Sequence, residues 1–266
     1  MKIEQPTKAM KMKDVRLTKK IQSKPLKFNA SLGFPHRPPY DSVFAERIPV
    51  LQAFQYALAN YIYERRKVKN TLRGRLRLLF QPSRHPFRSV ECGVYTGSSL
   101  VACASLARDM GISYKMIGLD TFTGLPPLSE KDKGFAPEGA PYLKRQFFND
   151  TSINIVQEKI DIAGLSKGVQ LIQGLFTKTL PLLQAKKYHF VNIDCDLYEP
   201  HIECLEYFYP RMASGGVIFF DDYHSGDYPM ARKAIDVFMQ DKCEELLHLR
   251  FGPDAVNRTK SFVIKY

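Results

Sequence analysis

The spacing of apolar residues divides the chain into two regimes. Between Asp41 and about Glu64, the residues Val43, Phe44, Ile48, Leu51, Phe54, Leu58 and Ile62 recur at three- and four-residue steps. That is the period of an amphipathic helix, which Asp41 or Ser42 could cap. Next come Arg65-Arg66-Lys67-Val68-Lys69 and then Arg73, Arg75 and Arg77 interleaved with Leu72, Leu76, Leu78 and Leu79. This predicts a basic, leucine-containing helix, punctuated by Pro82 and Pro86. After Phe87 short apolar runs appear at 89–93, 115–120, 169–173, 190–194, 216–221, 245–249 and 261–265. Helical stretches separate them near 98–110, 151–163, 177–185, 200–212 and 229–240. Strands alternating with helices predict an α/β fold: a seven-stranded, mostly parallel sheet with helices on both faces, plus an N-terminal helical extension.

Composition changes this picture little and charge changes it more. With 44% hydrophobic and 25% charged residues, the chain is ordinary globular material, not collagenous, mucin-like or disordered. No apolar run approaches the ~18 residues of a bilayer span. The lysine-bearing start, MKIEQPTKAMKMKDVRLTKK, carries no apolar segment of a secretory signal, so a soluble cytoplasmic protein is expected. Residues 1–88 hold 20 Lys/Arg against five Asp/Glu, whereas 89–266 hold 19 against 22. The expected organisation is a mobile basic arm (1–40), a helical extension (41–87) and a nearly neutral body (88–266). The five cysteines form no CxxC pair and read as buried free thiols.

The chemistry gathers at strand ends. The first strand of the body runs into Glu91-Cys92-Gly93-Val94-Tyr95-Thr96-Gly97, an E-x-G-x-x-x-G turn, and a helix opens at Ser98-Ser99. Glycines permit a sharp bend and close approach of a ligand, a helix N-terminus offers N–H groups to an anion, and Ser98 and Ser99 suit its cap. The spacing fits neither GxGxxG nor a P-loop. Asp120 ends the next strand, where an acid can accept hydrogen bonds from ribose hydroxyls or cap a helix. Asp194-Cys195-Asp196 and Asp221-Asp222-Tyr223-His224 follow two later strands. In a parallel sheet these ends share one edge, and clustered carboxylates with oxygen ligands suit Mg²⁺, Ca²⁺ or Mn²⁺ rather than zinc.

Together with V-N-I-D-C-D-L-Y-E-P and G-G-V-I-F-F-D-D-Y-H, in this order, these motifs resemble the macrocin O-methyltransferase family, S-adenosylmethionine-dependent enzymes that methylate sugar hydroxyls in natural products. The resemblance spans roughly 88–245 and includes L-D-T-F-T-G-L-P and Q-G-L-F-T-K-T-L-P. It implies a Rossmann-like methyltransferase fold in which 88–266 binds S-adenosylmethionine. Glu91, Gly93 and the loop Tyr95, Thr96, Gly97, Ser98, Ser99 would hold the cofactor. Asp120 would take its ribose, with Thr121 and Phe122 beside it, and Gly174 and Phe176 would lie near the adenine. Asp194, Asp221 and Asp222 would hold Mg²⁺ (or Mn²⁺). Asp196 is the foremost candidate base and His224 its rival. The family also implies a homo-oligomer, with 41–87 forming part of a lid and interface.

The expected substrate is a small molecule, a sugar or glycoside, methylated on a hydroxyl. Two alternatives share some features. A metal-dependent glycosyltransferase could use the D-x-D. A nucleic-acid methyltransferase would explain the basic N-terminal part, but amino-methylating enzymes of that kind usually carry N/D-P-P-Y where this chain has Asp194-Cys195-Asp196-Leu197-Tyr198.

Overall fold

The computed structural model describes residues 40–69, 86–184, 186–250 and 259–266. Residues 1–39 of the expected basic arm and 70–85 of the basic stretch lie outside the described residues, as do the side chains of Phe44 and Ile48.

Seven strands form one sheet: β1 (Phe87–Cys92), β2 (Tyr114–Asp120), β3 (Val169–Gln173), β4 (Tyr188–Ile193), β5 (Met212–Phe220), β6 (Leu247–Arg250) and β7 (Thr259–Ile264). Their spatial order is β3-β2-β1-β4-β5-β7-β6. β1 to β5 pair in parallel, whereas β7 runs antiparallel to both β5 and β6. The order reverses between β1 and β4, and the crevice at such a reversal, at the C-terminal strand ends, is where open α/β sheets bind ligands.

Both faces are covered, and the strands show why. Along β5, Val217 and Phe219 join one core while Ile218 and Phe220 join the other, the two-residue alternation of a pleated strand. Helices supply the cover: α1 (Tyr40–Lys69), α2 (Ser98–Asp109), α3 (Glu130–Phe135), α4 (Ile153–Ile162), α5 (Phe176–Thr179), α6 (Tyr198–Phe208) and α7 (Pro229–Met239). α1 packs against β4, β5 and α2. Of its apolar stripe, Phe54 and Leu58 are fully buried and Leu51 and Ile62 half-buried. Phe54 meets the ring edges of Phe87 at 5.3 Å and Phe190 at 5.1 Å. Asn60 Nδ2 donates to the Gly215 carbonyl at 3.0 Å, fixing the helix to the start of β5. Truncating a buried phenylalanine such as Phe54 to alanine costs about 3–5 kcal/mol.

Three expectations need correction. The helix expected over 177–185 is only α5, followed by a 3-10 turn at Leu180–Leu182, because Pro181 has no N–H to continue an α-helix. The α2 start is not capped by Ser98 or Ser99. Its N-cap is Gly97, at φ 78°, with no side-chain cap. Four cysteines are buried free thiols, but Cys243 is exposed.

Candidate active site

The β1–α2 loop turns on two glycines for different reasons. Gly93 has φ 87°, and a Cβ there would stand 1.6 Å from the Asp194 carbonyl oxygen. The space that a side chain would need is therefore filled by the end of β4, not by a ligand. Gly97 is required by helix packing, since a Cβ would stand 2.5 Å from Val156 Cγ1 of α4. Between them Tyr95 takes the left-handed conformation, φ 47°. Asp120 holds this loop: its Oδ2 accepts from the N–H of Val94 (2.7 Å) and Tyr95 (2.9 Å), and its Oδ1 from the N–H of Phe122 (2.6 Å). With no side chain capping α2, the N-terminal N–H groups of that helix face the loop, a favourable position for an anionic group.

These loops, with those after β3, β4 and β5, enclose a cavity of about 650 Å³, within the ~300–1,000 Å³ typical of small-molecule sites. Of the residues singled out in the sequence, Gly93, Tyr95, Thr96, Ser98, Ser99, Asp120, Thr121, Gly174, Phe176, Asp194, Asp196 and Asp221 line it. Glu91, Gly97 and Phe122 are buried behind the wall. Glu91 accepts a hydrogen bond from the Ser99 hydroxyl. Burial pushes its pKa up to about 8, against the hydrogen bonds from Ser99 and Asn192 and with the charges of Asp221 and Asp120. Asn192 also lines the cavity, is 2% exposed, and leaves Oδ1 without a partner. Such an orphaned acceptor suits a donor on a ligand.

At the β4 and β5 ends the side chains of Asp194, Asp221 and Asp222 each bring an oxygen within 4.8 Å of the others. Asp196, at φ 61°, presents itself to the same cavity, and its N–H donates to Asp222 Oδ2 at 3.0 Å. Burial first, and then repulsion among these carboxylates, holds Asp194 and Asp196 well above the usual carboxylate range and lifts Asp222 to about 7, with Lys260 opposing. The oxygens, their proximity and their excess negative charge fit a hard divalent cation. His224 is placed elsewhere: it does not line the cavity, and its Nε2 lies 3.3 Å from His248 Nδ1 of β6.

The structure adds residues that the sequence reading did not single out. Asp132 of α3 is 1% exposed and lines the cavity. Its Oδ2 takes part in a reciprocal capping box with Ser129, and its Oδ1 accepts from the N–H of Tyr198 on α6 at 2.7 Å. The S-x-x-D spacing of Ser129 and Asp132 is the signal that could have found it. Glu199 and Glu203 of α6 and Lys260 of β7 also line the cavity; Glu199 lies in the D-C-D-L-Y-E-P motif, and nothing in the local patterns of the other two marks them. A segment bearing Tyr142, Phe147 and Phe148 packs on Tyr228 next to the site.

Comparison with known proteins gives the chain's family and fold relatives. The macrocin-O-methyltransferase (TylF) family profile matches residues 84–246. Demethyldecarbamoylnovobiocin O-methyltransferase of Streptomyces niveus is 25% identical over 155 residues, 56% of each chain. The 8-demethyl-8-(2,3-dimethoxy-alpha-L-rhamnosyl)-tetracenomycin-C 4'-O-methyltransferase of Streptomyces olivaceus is 26% identical over 136 residues, 50% of this chain and 52% of that one. The chain thus spans about half the length of the curated relatives it matches. The O-methyltransferase NovP shares the fold, with TM-score 0.61 and 20% identity over 83% of this chain and 79% of that one. The calicheamicin methyltransferase CalS11 does so at TM-score 0.56 and 19% identity, over 98% and 94%. On a profile match that covers more than half of its residues, including the glycine turn and both aspartate clusters, the chain belongs to the macrocin-O-methyltransferase family.

Proposed function

We propose that this protein transfers the methyl group of S-adenosylmethionine to a hydroxyl of a sugar or a glycosylated small molecule, assisted by Mg²⁺ or Mn²⁺. The observation that carries the reading is the charge of the cavity. Its lining holds seven carboxylates, Asp120, Asp132, Asp194, Asp196, Glu199, Glu203 and Asp221, against one amine, Lys260, among the described residues. Such a wall favours a cationic sulfonium and a metal ion. It disfavours a polyanion, which counts against a nucleic acid.

S-adenosylmethionine, when bound, supplies a methyl group on a positively charged sulfur. In this reading the β1–α2 loop and the helix start receive its carboxylate, Asn192 Oδ1 accepts from its ammonium, and Asp120 receives the ribose while keeping its bonds to the loop amides. A divalent cation at Asp194, Asp221 and Asp222 supplies the charge that makes a bound hydroxyl easier to ionise. Asp196 lies beside that cluster and is the group that takes the hydroxyl proton. Val50 of α1 reaches the cavity wall, which supports a role for the extension in closing the site; a homo-oligomer is part of the same proposal.

Calorimetry with S-adenosylhomocysteine tests the cofactor. Labelled methyl transfer to a panel of sugars and glycosides, with and without EDTA, tests the rest. Micromolar binding and EDTA-sensitive transfer to a sugar hydroxyl are expected. Affinity for a nucleotide sugar but none for the adenosyl compound would overturn the reading.

A further inference from the structure

Lys260 enters the acidic cavity from β7, the reversed strand, and its Nζ is bonded to Asp221 Oδ2. Thr259, Ser261 and Val263 are the buried positions of that strand. The alternation therefore places Lys260 on the other face, with Phe262 and Ile264, which pack on the apolar core. A lysine at such a position covers the core with its aliphatic stem and commits its charged end to whatever the stem can reach. Here that is Asp221, one of the three carboxylates of the cluster. The ammonium also lies in the field of Asp194 and Asp222. Three carboxylates and one ammonium leave two negative charges, the amount that a single divalent cation neutralises.

We propose that Lys260 is a resident counter-charge that shares Asp221 with the divalent cation, holding the carboxylates together before the cation arrives and weakening its grip afterwards. This inference rests on the metal site proposed above. A carboxylate has two oxygens and can serve two partners, so the lysine need not leave. It is a positioning residue: it fixes Asp221 and repels the ion across a few ångströms.

The test is Mn²⁺ binding to the metal-free full chain, read from the electron paramagnetic resonance of free Mn²⁺, with no turnover involved. Lys260→Met keeps the stem and removes the charge, and Lys260→Arg keeps the charge. Removing a unit charge this close to a divalent ion should tighten binding about tenfold or more in Lys260→Met and leave Lys260→Arg within about threefold of the unmodified chain. Metal-free Lys260→Met should also melt at a lower temperature, with saturating Mn²⁺ closing the gap. Lys260→Gln replaces it if the methionine variant does not fold. Unaltered or weaker binding in the neutral variant, while the unmodified chain binds Mn²⁺, would overturn the role of Lys260 and leave the metal site standing. Absence of binding in every variant would remove both.

Discussion

After β1 the chain turns on a glycine; after β4 it turns on aspartates. The two loops touch, since the room for a side chain at Gly93 is filled by the carbonyl of Asp194, yet they rest on different physics. In the first, an acid from β2 is held by the protein: Asp120 accepts from three backbone N–H groups. In the second, Asp194 faces Asp221 and Asp222 from the end of β5, with Lys260 bonded to Asp221. A carboxylate with most of its lone pairs taken by amides is fixed in place, with room for one further donor. Carboxylates left in mutual repulsion bind a cation or a proton. The first loop thus shapes the cavity, and in the proposed function the second supplies its reactivity.

The largest effect expected from breaking this division is at their contact. Gly93→Ala puts a methyl group into the Asp194 backbone at a positive φ, so both loops must move. A loss of more than about 4 kcal/mol, or failure to fold, should appear in thermal melts. An ordinary melting temperature with only weakened ligand binding would show that the loops are independent. Next is Asp196→Asn, which leaves shape intact and removes a proton acceptor. Methyl transfer should fall roughly 10²–10⁴-fold while S-adenosylhomocysteine affinity stays within a few fold. Equal loss of binding and turnover would place Asp196 with the shaping residues instead.

Much of this division was legible in the sequence. Strands β1, β2, β4 and β5 end within one residue of the expected positions, because Gly93, Asp120, Asp194 and Asp221 interrupt apolar runs there. The starts were less clear. β5 begins at Met212 rather than near 216, since Ala213-Ser214-Gly215-Gly216 looks like a turn when read locally. The direction of β7 was not readable, as a two-residue alternation is the same in either orientation. Nor was the role of Lys260, whose partner Asp221 is 39 residues away in the chain. The engagement of Asp120 was equally hidden: two of its three amide donors, Val94 and Tyr95, come from another loop. α3, a charged six-residue helix, showed itself only through Ser129 and Asp132.

A control at the N-terminal end of β4 sharpens the comparison by separating general acid sensitivity from events at the carboxylates. His189 accepts from the Arg88 N–H through Nδ1 at 3.0 Å and packs against Phe87 of β1 and Tyr61 of α1. Burial, followed by the positive charges of Arg88 and Arg65, lowers its pKa to about 4. A histidine lowered on folding contributes stability that is complete above its unfolded value of ~6.5 and is lost as pH falls toward 4, by up to ~3 kcal/mol. His189→Gln should flatten the fall in melting temperature between these pH values. An unchanged profile would assign the acid sensitivity elsewhere.

The smallest effects give the sharpest discrimination, because two similar removals of a carboxylate should move stability in opposite directions. Asp120→Ala deprives the N–H groups of Val94, Tyr95 and Phe122 of their acceptor, and losing such charge-assisted bonds should destabilise the metal-free protein by about 2–3 kcal/mol. Asp194→Asn keeps the shape and replaces a carboxyl that burial and its acidic neighbours already hold toward the neutral form. Without added cation it should leave the protein as stable or raise stability by about 1 kcal/mol. In saturating Mg²⁺ the order changes further: the unmodified chain gains stability from the bound ion, Asp120→Ala gains by the same increment, and Asp194→Asn gains little. Chemical denaturation of the three proteins with EDTA and with Mg²⁺ measures all six values. If Asp194→Asn is destabilised as much as Asp120→Ala without cation, the carboxylates after β4 are as structurally committed as the one after β2, and the distinction between the two loops fails.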